Sequence, residues 1–152
     1  IMLPKYHIII GGILSIIIYN FFDVSHFEIL IIFLSSFLID VDHYLIYGII
    51  KRDWNLKNAR KYFFSSRNKW IQTSIEERKK YKRHIFIFHG IEFWLLLGLI
   101  YFYFPIIIFV LYGFAIHIIL DYIDYFYLKE PLYPKFSQIY VYQTNKKKIN
   151  FN

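Results

Sequence analysis

The chain contains no cysteine, one methionine, four prolines and six glycines in 152 residues. Without thiols there is no disulfide, no thiolate nucleophile and no Cys-ligated zinc site. Charge is scarce too, at 19% of residues against roughly 25% in ordinary soluble domains. What fills the space is apolar: 57% hydrophobic residues, with 17 Phe, 15 Tyr and 3 Trp. That surplus excludes a disordered chain, which lacks apolar surface to bury. The net charge of +7 points to nucleic acid or to an anionic membrane surface, depending on where it sits.

Length implies one domain, residues 1–152. Four apolar stretches, at about 5–22, 27–50, 85–104 and 105–128, approach the roughly 20 residues that cross a bilayer. One such run could be a buried core helix, but four in so short a chain predict an all-α integral membrane protein, a four-span transmembrane helical bundle. The first run resembles a signal peptide, with Lys5 ahead of it. No small-residue cleavage site follows, so it is expected to be retained. Pro105 is a natural stop and restart between the last two spans.

The basic residues divide in a way that supports this topology. Lys5 precedes the first span, 12 Lys/Arg against 3 Asp/Glu lie between Lys51 and Arg83, and five lysines follow the fourth span. The connections near Asp23 and near Pro105 contain none. All 18 basic residues therefore fall on one side of a four-span arrangement, which the positive-inside rule makes cytoplasmic, with both termini inside. Loop 51–84 interleaves these charges with Trp54, Tyr62, Phe63, Phe64 and Trp70. That mixture suits an interfacial helix on anionic lipid headgroups. Stacking on nucleic acid uses the same side chains, but spans on both flanks argue for lipid and against nucleic acid. Residues 139–143 of the tail 129–152 read as a short strand or hairpin outside the membrane.

Ionisable groups at membrane depth are costly unless paired, hydrated or metal-bound. Eight of them, His7, Asp40, Asp42, His43, His84, His89, His117 and Asp121, come from four spans yet share one membrane level. His117 and Asp121 are four apart and Asp40 and His43 three apart, so each pair shares a helical face. Asp42 would point away from Asp40 on a regular helix, so the helix breaks there or Asp42 supports the ligands from behind. His84 and His89, five apart, need an irregular helix start or separate roles. Duller readings exist: a hydrogen-bonded His117–Asp121 pair, a wet helix end at Asp40–His43, an interfacial His7, a loop His84. Together the eight suit one or two divalent ions, zinc first and manganese or iron after it. Glu92 or Asp42 is the candidate general base. His26, Glu28 and Asp23 lie at the opposite face and are excluded.

The order His7, Asp40-Val41-Asp42-His43, His84-x4-His89, His117-x3-Asp121, then Leu132-Tyr133-Pro134 resembles the YdjM-type family of predicted membrane-bound metal-dependent hydrolases. Gly11-Gly12 takes the family's small-residue place, and the resemblance covers about residues 5–140. Ile39 stands where that family has Pro. His84-Ile85-Phe86-Ile87-Phe88-His89 keeps both histidines but not the intervening Arg, Gly and Thr, and Gly90 replaces Ser. If the missing Arg neutralises a substrate phosphate, Arg83 or Lys82 would take its part. The resemblance implies a metal-dependent hydrolase at the cytoplasmic face. The basic loop and a weak similarity to zinc phospholipase C suggest a phospholipid or other lipid-phosphate substrate. The rival expectation is a non-catalytic accessory subunit, with partner subunits in a membrane complex and a structural polar or metal site. Haem ligation by His89 and His117, and a cation path through the Asp/His set, are weaker alternatives.

Overall fold

Each apolar run becomes a helix, the form that satisfies its own backbone where water is excluded, with one exception that shapes the site. The computed structural model describes residues 4–151. In chain order the helices are α1 (Pro4–Phe21), α2 (His26–Leu38), α3 (Val41–Lys51), α4 (Leu56–Gln72), α5 (Ile75–Arg78), α6 (Ile91–Tyr101), α7 (Ile107–Tyr127), α8 (Tyr133–Phe136) and α9 (Gln138–Asn145). Among the described residues the only β pairing is an isolated bridge between Tyr81 and Ile149.

Among the described residues three helical segments are long and apolar enough to cross a membrane: Pro4–Phe21, His26–Lys51 and Ile107–Tyr127. The second of them is broken at Ile39–Asp40, where α2 ends and α3 begins. The expected third span is not one continuous helix. Only the 11 residues of α6 are α-helical, about 16 Å of rise, and a 3₁₀ turn, Ile87–His89, precedes them. The alternation Ile85-Phe86-Ile87-Phe88 favours extended backbone, and side chains from elsewhere receive its amides. Arg83 N–H donates to Asn145 Oδ1 (2.9 Å), Phe86 N–H to Gln138 Oε1 (2.9 Å) and Phe88 N–H to Asp42 Oδ2 (3.2 Å). Non-helical backbone at depth persists where protein buries it, and Phe86 and His89 are both buried. The tail is corrected as well: Gln138–Asn145 is a helix, not a strand. Ser137 caps it, and Val141 is fully buried.

α2 lies between α1 and α7, and small residues let the three backbones approach. A methyl group on Gly113 of α7 would lie 2.6 Å from Ser35 Cβ and 3.0 Å from Ser36 N; one on Gly11 of α1 would collide with the Ser36 hydroxyl. Close small-residue packing of this kind drives helix association where lipid removes the hydrophobic incentive. Farther along, Ile39, Leu97, Phe114 and Ile118 form an apolar core flanked by Phe93 and Trp94.

A polar knot ties the basic loop to the end of α7. Glu130 Oε1 accepts from Trp70 Nε1 (2.7 Å) and Arg78 (2.9 Å), and Oε2 accepts from Arg83 (2.6 Å). Arg78 also donates to the carbonyls of Ile71 and Thr73, and Arg83 stacks over the Trp70 ring. Burial pushes the Glu130 carboxyl up, but Arg83, Trp70 and Arg78 outweigh it and hold the group below its ordinary value.

Two predictions follow from this packing. Gly113→Val should lower stability by about 1–3 kcal/mol through overpacking, whereas Gly98→Ala, with nothing within 4 Å, should be neutral or slightly stabilising in a detergent melt. The contribution of Glu130 is complete above its free-chain value of 4.5 and is lost as pH falls through the depressed folded value. Acid melts of the parent should therefore show a loss of stability below that pH that Glu130→Gln does not show, the variant being less stable at neutral pH.

Candidate metal centre

His117 lies midway along α7 with Asp121 one turn on; the break between α2 and α3 presents Asp40, Asp42 and His43; the 3₁₀ turn supplies His89; and α1 supplies His7. His7, His89, His117 and Asp121 have at most 1% exposure, while the Asp40 and His43 side chains keep 12% and 11%. Among the described residues, three overlapping groups have ligand atoms mutually within 4.8 Å: His7–Asp40–His117, Asp40–His43–His89 and His89–His117–Asp121.

Hydrogen bonds fix the histidine tautomers. His117 Nδ1 lies 2.9 Å from the Ser36 carbonyl and His89 Nδ1 lies 2.9 Å from Asp42 Oδ2. Both partners only accept, so both Nδ1 atoms carry hydrogen and both Nε2 atoms are lone pairs in the neutral rings. Those two Nε2 atoms face each other at 3.2 Å. Around them stand carboxylate oxygens: Asp40 Oδ1 is 3.6 Å from His89 Nε2 and 3.5 Å from His117 Nε2, and Asp121 Oδ2 is 3.5 Å from each. Among the described residues neither oxygen of Asp40 has a hydrogen-bond partner, and Asp121 Oδ2 meets the ammonium of Lys135. Two imidazole lone pairs and two carboxylates facing one another repel unless a cation lies among them.

The same distances give the size of that cation's place. His89 Nε2, His117 Nε2 and Asp121 Oδ2 lie 3.2–3.5 Å from one another, and Asp40 Oδ1 lies 3.5–3.6 Å from the same two nitrogens. Either set of three atoms has a point about 2.0 Å from each, the length of a first-row divalent metal bond to nitrogen or oxygen. These four residues fit a metal ion. His7 stacks on His117 at 3.8 Å, with Nε2 3.7 Å from Asp121 Oδ1. The gap between His89 and His117 leaves no space for a porphyrin.

Asp42 does not face these atoms. Its Oδ1 accepts from His43 Nδ1 (2.9 Å), and its Oδ2 from His89 Nδ1 and the Phe88 amide. The break at Ile39–Asp40 resolves the awkward Asp40–Asp42 spacing by turning Asp42 to the outer side of two histidines, where a carboxylate orients them and sharpens their basicity. With three donors on two oxygens, Asp42 is not free to act as a general base. Nor is Glu92, which accepts from Ser137 Oγ, Gln138 N–H and Ile139 N–H and so holds the start of α9. His84 stays out of the three groups: the extended run before the 3₁₀ turn leaves it half-buried against Phe63 and Phe86. Arg83, expected to stand in for a phosphate-binding arginine, is committed to Glu130.

Lys135 belongs to the site and was not anticipated. Its ammonium is 2.5 Å from Asp121 Oδ2 and 5.5 Å from the Phe86 ring centre, with 1% exposure. Burial pushes this ammonium down, but Asp121 and further neighbours push it up by more. No local signal marks it: in the sequence it is one of five lysines after the last apolar run.

Asp42→Asn should preserve the fold and weaken divalent-metal affinity by about 10–100-fold, the usual cost of removing a carboxylate behind a ligand histidine; competition with a fluorescent chelator measures it. Against protein-family models, curated proteins and solved structures alike, the chain finds no match.

Proposed function

We propose that this chain is a membrane-bound metal-dependent hydrolase, similar to the YdjM-type family, working at the cytoplasmic face of a multi-pass bundle with both termini inside. The observation that carries this reading is the pair of facing imidazole nitrogens with a carboxylate oxygen of Asp121 and one of Asp40 each within 3.6 Å of both, buried among apolar helices. Zinc suits this donor set and size best, with manganese or iron next. When bound, the ion supplies Lewis acidity toward a scissile phosphoryl or acyl group and acidifies water.

The chain's own residues would do the rest. His89, His117 and Asp121 are fixed in depth. Asp40, half-buried and with neither oxygen hydrogen-bonded, is the ligand able to yield its place to substrate. His43 forms a dyad with Asp42 and keeps a buried Nε2 lone pair that has no donor. It is the general base in this reading, with Asp42 stabilising the imidazolium that results. Loop 51–84, now with α4 in it, would lie on anionic headgroups, and a lipid phosphate is the substrate class this surface favours. A second reading rests on a specific observation: four protein ligands, none much exposed, resemble a closed structural zinc site, as an accessory subunit of a membrane complex would need.

The test is metal content by plasma mass spectrometry on chelator-free, detergent-purified protein, beside Asp40→Asn/His117→Ala, with phosphate release from phosphatidic acid followed in parallel. Hydrolysis by the metal-loaded parent, lost in the double variant and in His43→Gln with its metal retained, supports the enzyme. Bound metal without hydrolysis favours the structural reading, and a metal-free parent overturns both.

A further inference from the structure

The charges inside the bundle do not balance without help, and their sum states how much help is needed. Asp40, Asp42 and Asp121 bring three carboxylates together, and His89 and His117, whose Nδ1 hydrogens go to Asp42 and the Ser36 carbonyl, are neutral once a metal takes their Nε2 lone pairs. Lys135 brings one positive charge, at 2.5 Å from Asp121 Oδ2. The deficit is two charges, one divalent ion. Buried uncompensated charge is costly enough that a site closes near neutrality.

Position matters as much as the sum. Asp121 Oδ2 lies 3.5 Å from both facing imidazole nitrogens, and the Lys135 ammonium sits against that same oxygen. In carboxylate–histidine sites that hold two ions, a carboxylate shared between them is the usual bridge. Here a cation already contacts the shared oxygen. The ammonium is held there by the short helix α8 and lies near the aromatic faces of Phe86 and Tyr125. A lysine is a compact point charge that can stand in for an ion.

We propose that the centre is mononuclear by construction, with the Lys135 ammonium occupying the position beside Asp121 where a second divalent ion would otherwise bind. This rests on the metal reading above. It assigns Lys135 a positioning role toward the metal and explains why eight candidate ligands need not mean two ions.

Zinc titration of the detergent-purified chain, followed by equilibrium dialysis and plasma mass spectrometry, tests it. The parent should saturate at one zinc per chain, and Lys135→Arg, which keeps the charge, should do the same. Lys135→Met leaves one negative charge unmatched by a single ion and opens the position beside Asp121, so it should saturate at two. Two zinc ions in the parent, or one in a folded Lys135→Met, would overturn the mononuclear assignment while leaving the metal site standing. No zinc in the parent would overturn the metal reading itself. If Lys135→Met does not fold, the parent's stoichiometry decides alone, one ion supporting the assignment and two overturning it.

Discussion

Two imidazole lone pairs held 3.2 Å apart inside an apolar bundle are the constraint around which the rest of this molecule is arranged. Neither ring can rotate to escape, because Ser36 holds one from behind and Asp42 the other. Neither can find a hydrogen-bond donor, because the nearest groups are carboxylates. With three carboxylates offset by the Lys135 ammonium alone, the site is unstable in a low-dielectric interior and becomes favourable once a further cation fills it. The fold stores this arrangement in the backbone: a broken second span, a 3₁₀ turn in place of the start of the third, and glycine contacts that bring α1 and α7 onto α2.

The helix break is the pivotal departure from regularity. An unbroken helix through residues 26–51 would have placed Asp40 and Asp42 on different faces, with only one near the histidines. Ending α2 at Leu38 and restarting α3 at Val41 lets Asp40 face inward while Asp42 reaches behind His43 and His89. The extended stretch before His89 serves the same end. It surrenders helical hydrogen bonds and is repaid by Gln138, Asn145 and Asp42, so the irregular backbone and the polar site satisfy one another.

Much of this was legible in the sequence. Long apolar runs gave the helices. The i, i+4 spacing of His117 and Asp121 and the Asp-Val-Asp-His run marked residues that the fold brings together. The misses share a cause, which is that they depend on partners remote in the chain. The apolar run at 85–104 looks like a span because hydropathy does not reveal that Asp42 and Gln138 will take its amides. Glu92 looks like a base by its nearness to His89, yet its partners lie 45 to 47 residues away, at the start of α9. Lys135 looks like an ordinary tail lysine, since nothing local foretells its pairing with Asp121. His84 and His89, five apart, ask for an irregular helix start or separate roles, and the extended run between them leaves His84 against Phe63 and Phe86, outside the three groups.

The most direct measurement is the zinc K-edge X-ray absorption spectrum of the metal-loaded protein. The account predicts a mixed nitrogen and oxygen shell about 2.0–2.1 Å from the metal, with the multiple scattering that marks about two imidazole rings. An all-oxygen shell without imidazole scattering would place the ion elsewhere, on surface carboxylates, and contradict a centre built from His89, His117, Asp40 and Asp121.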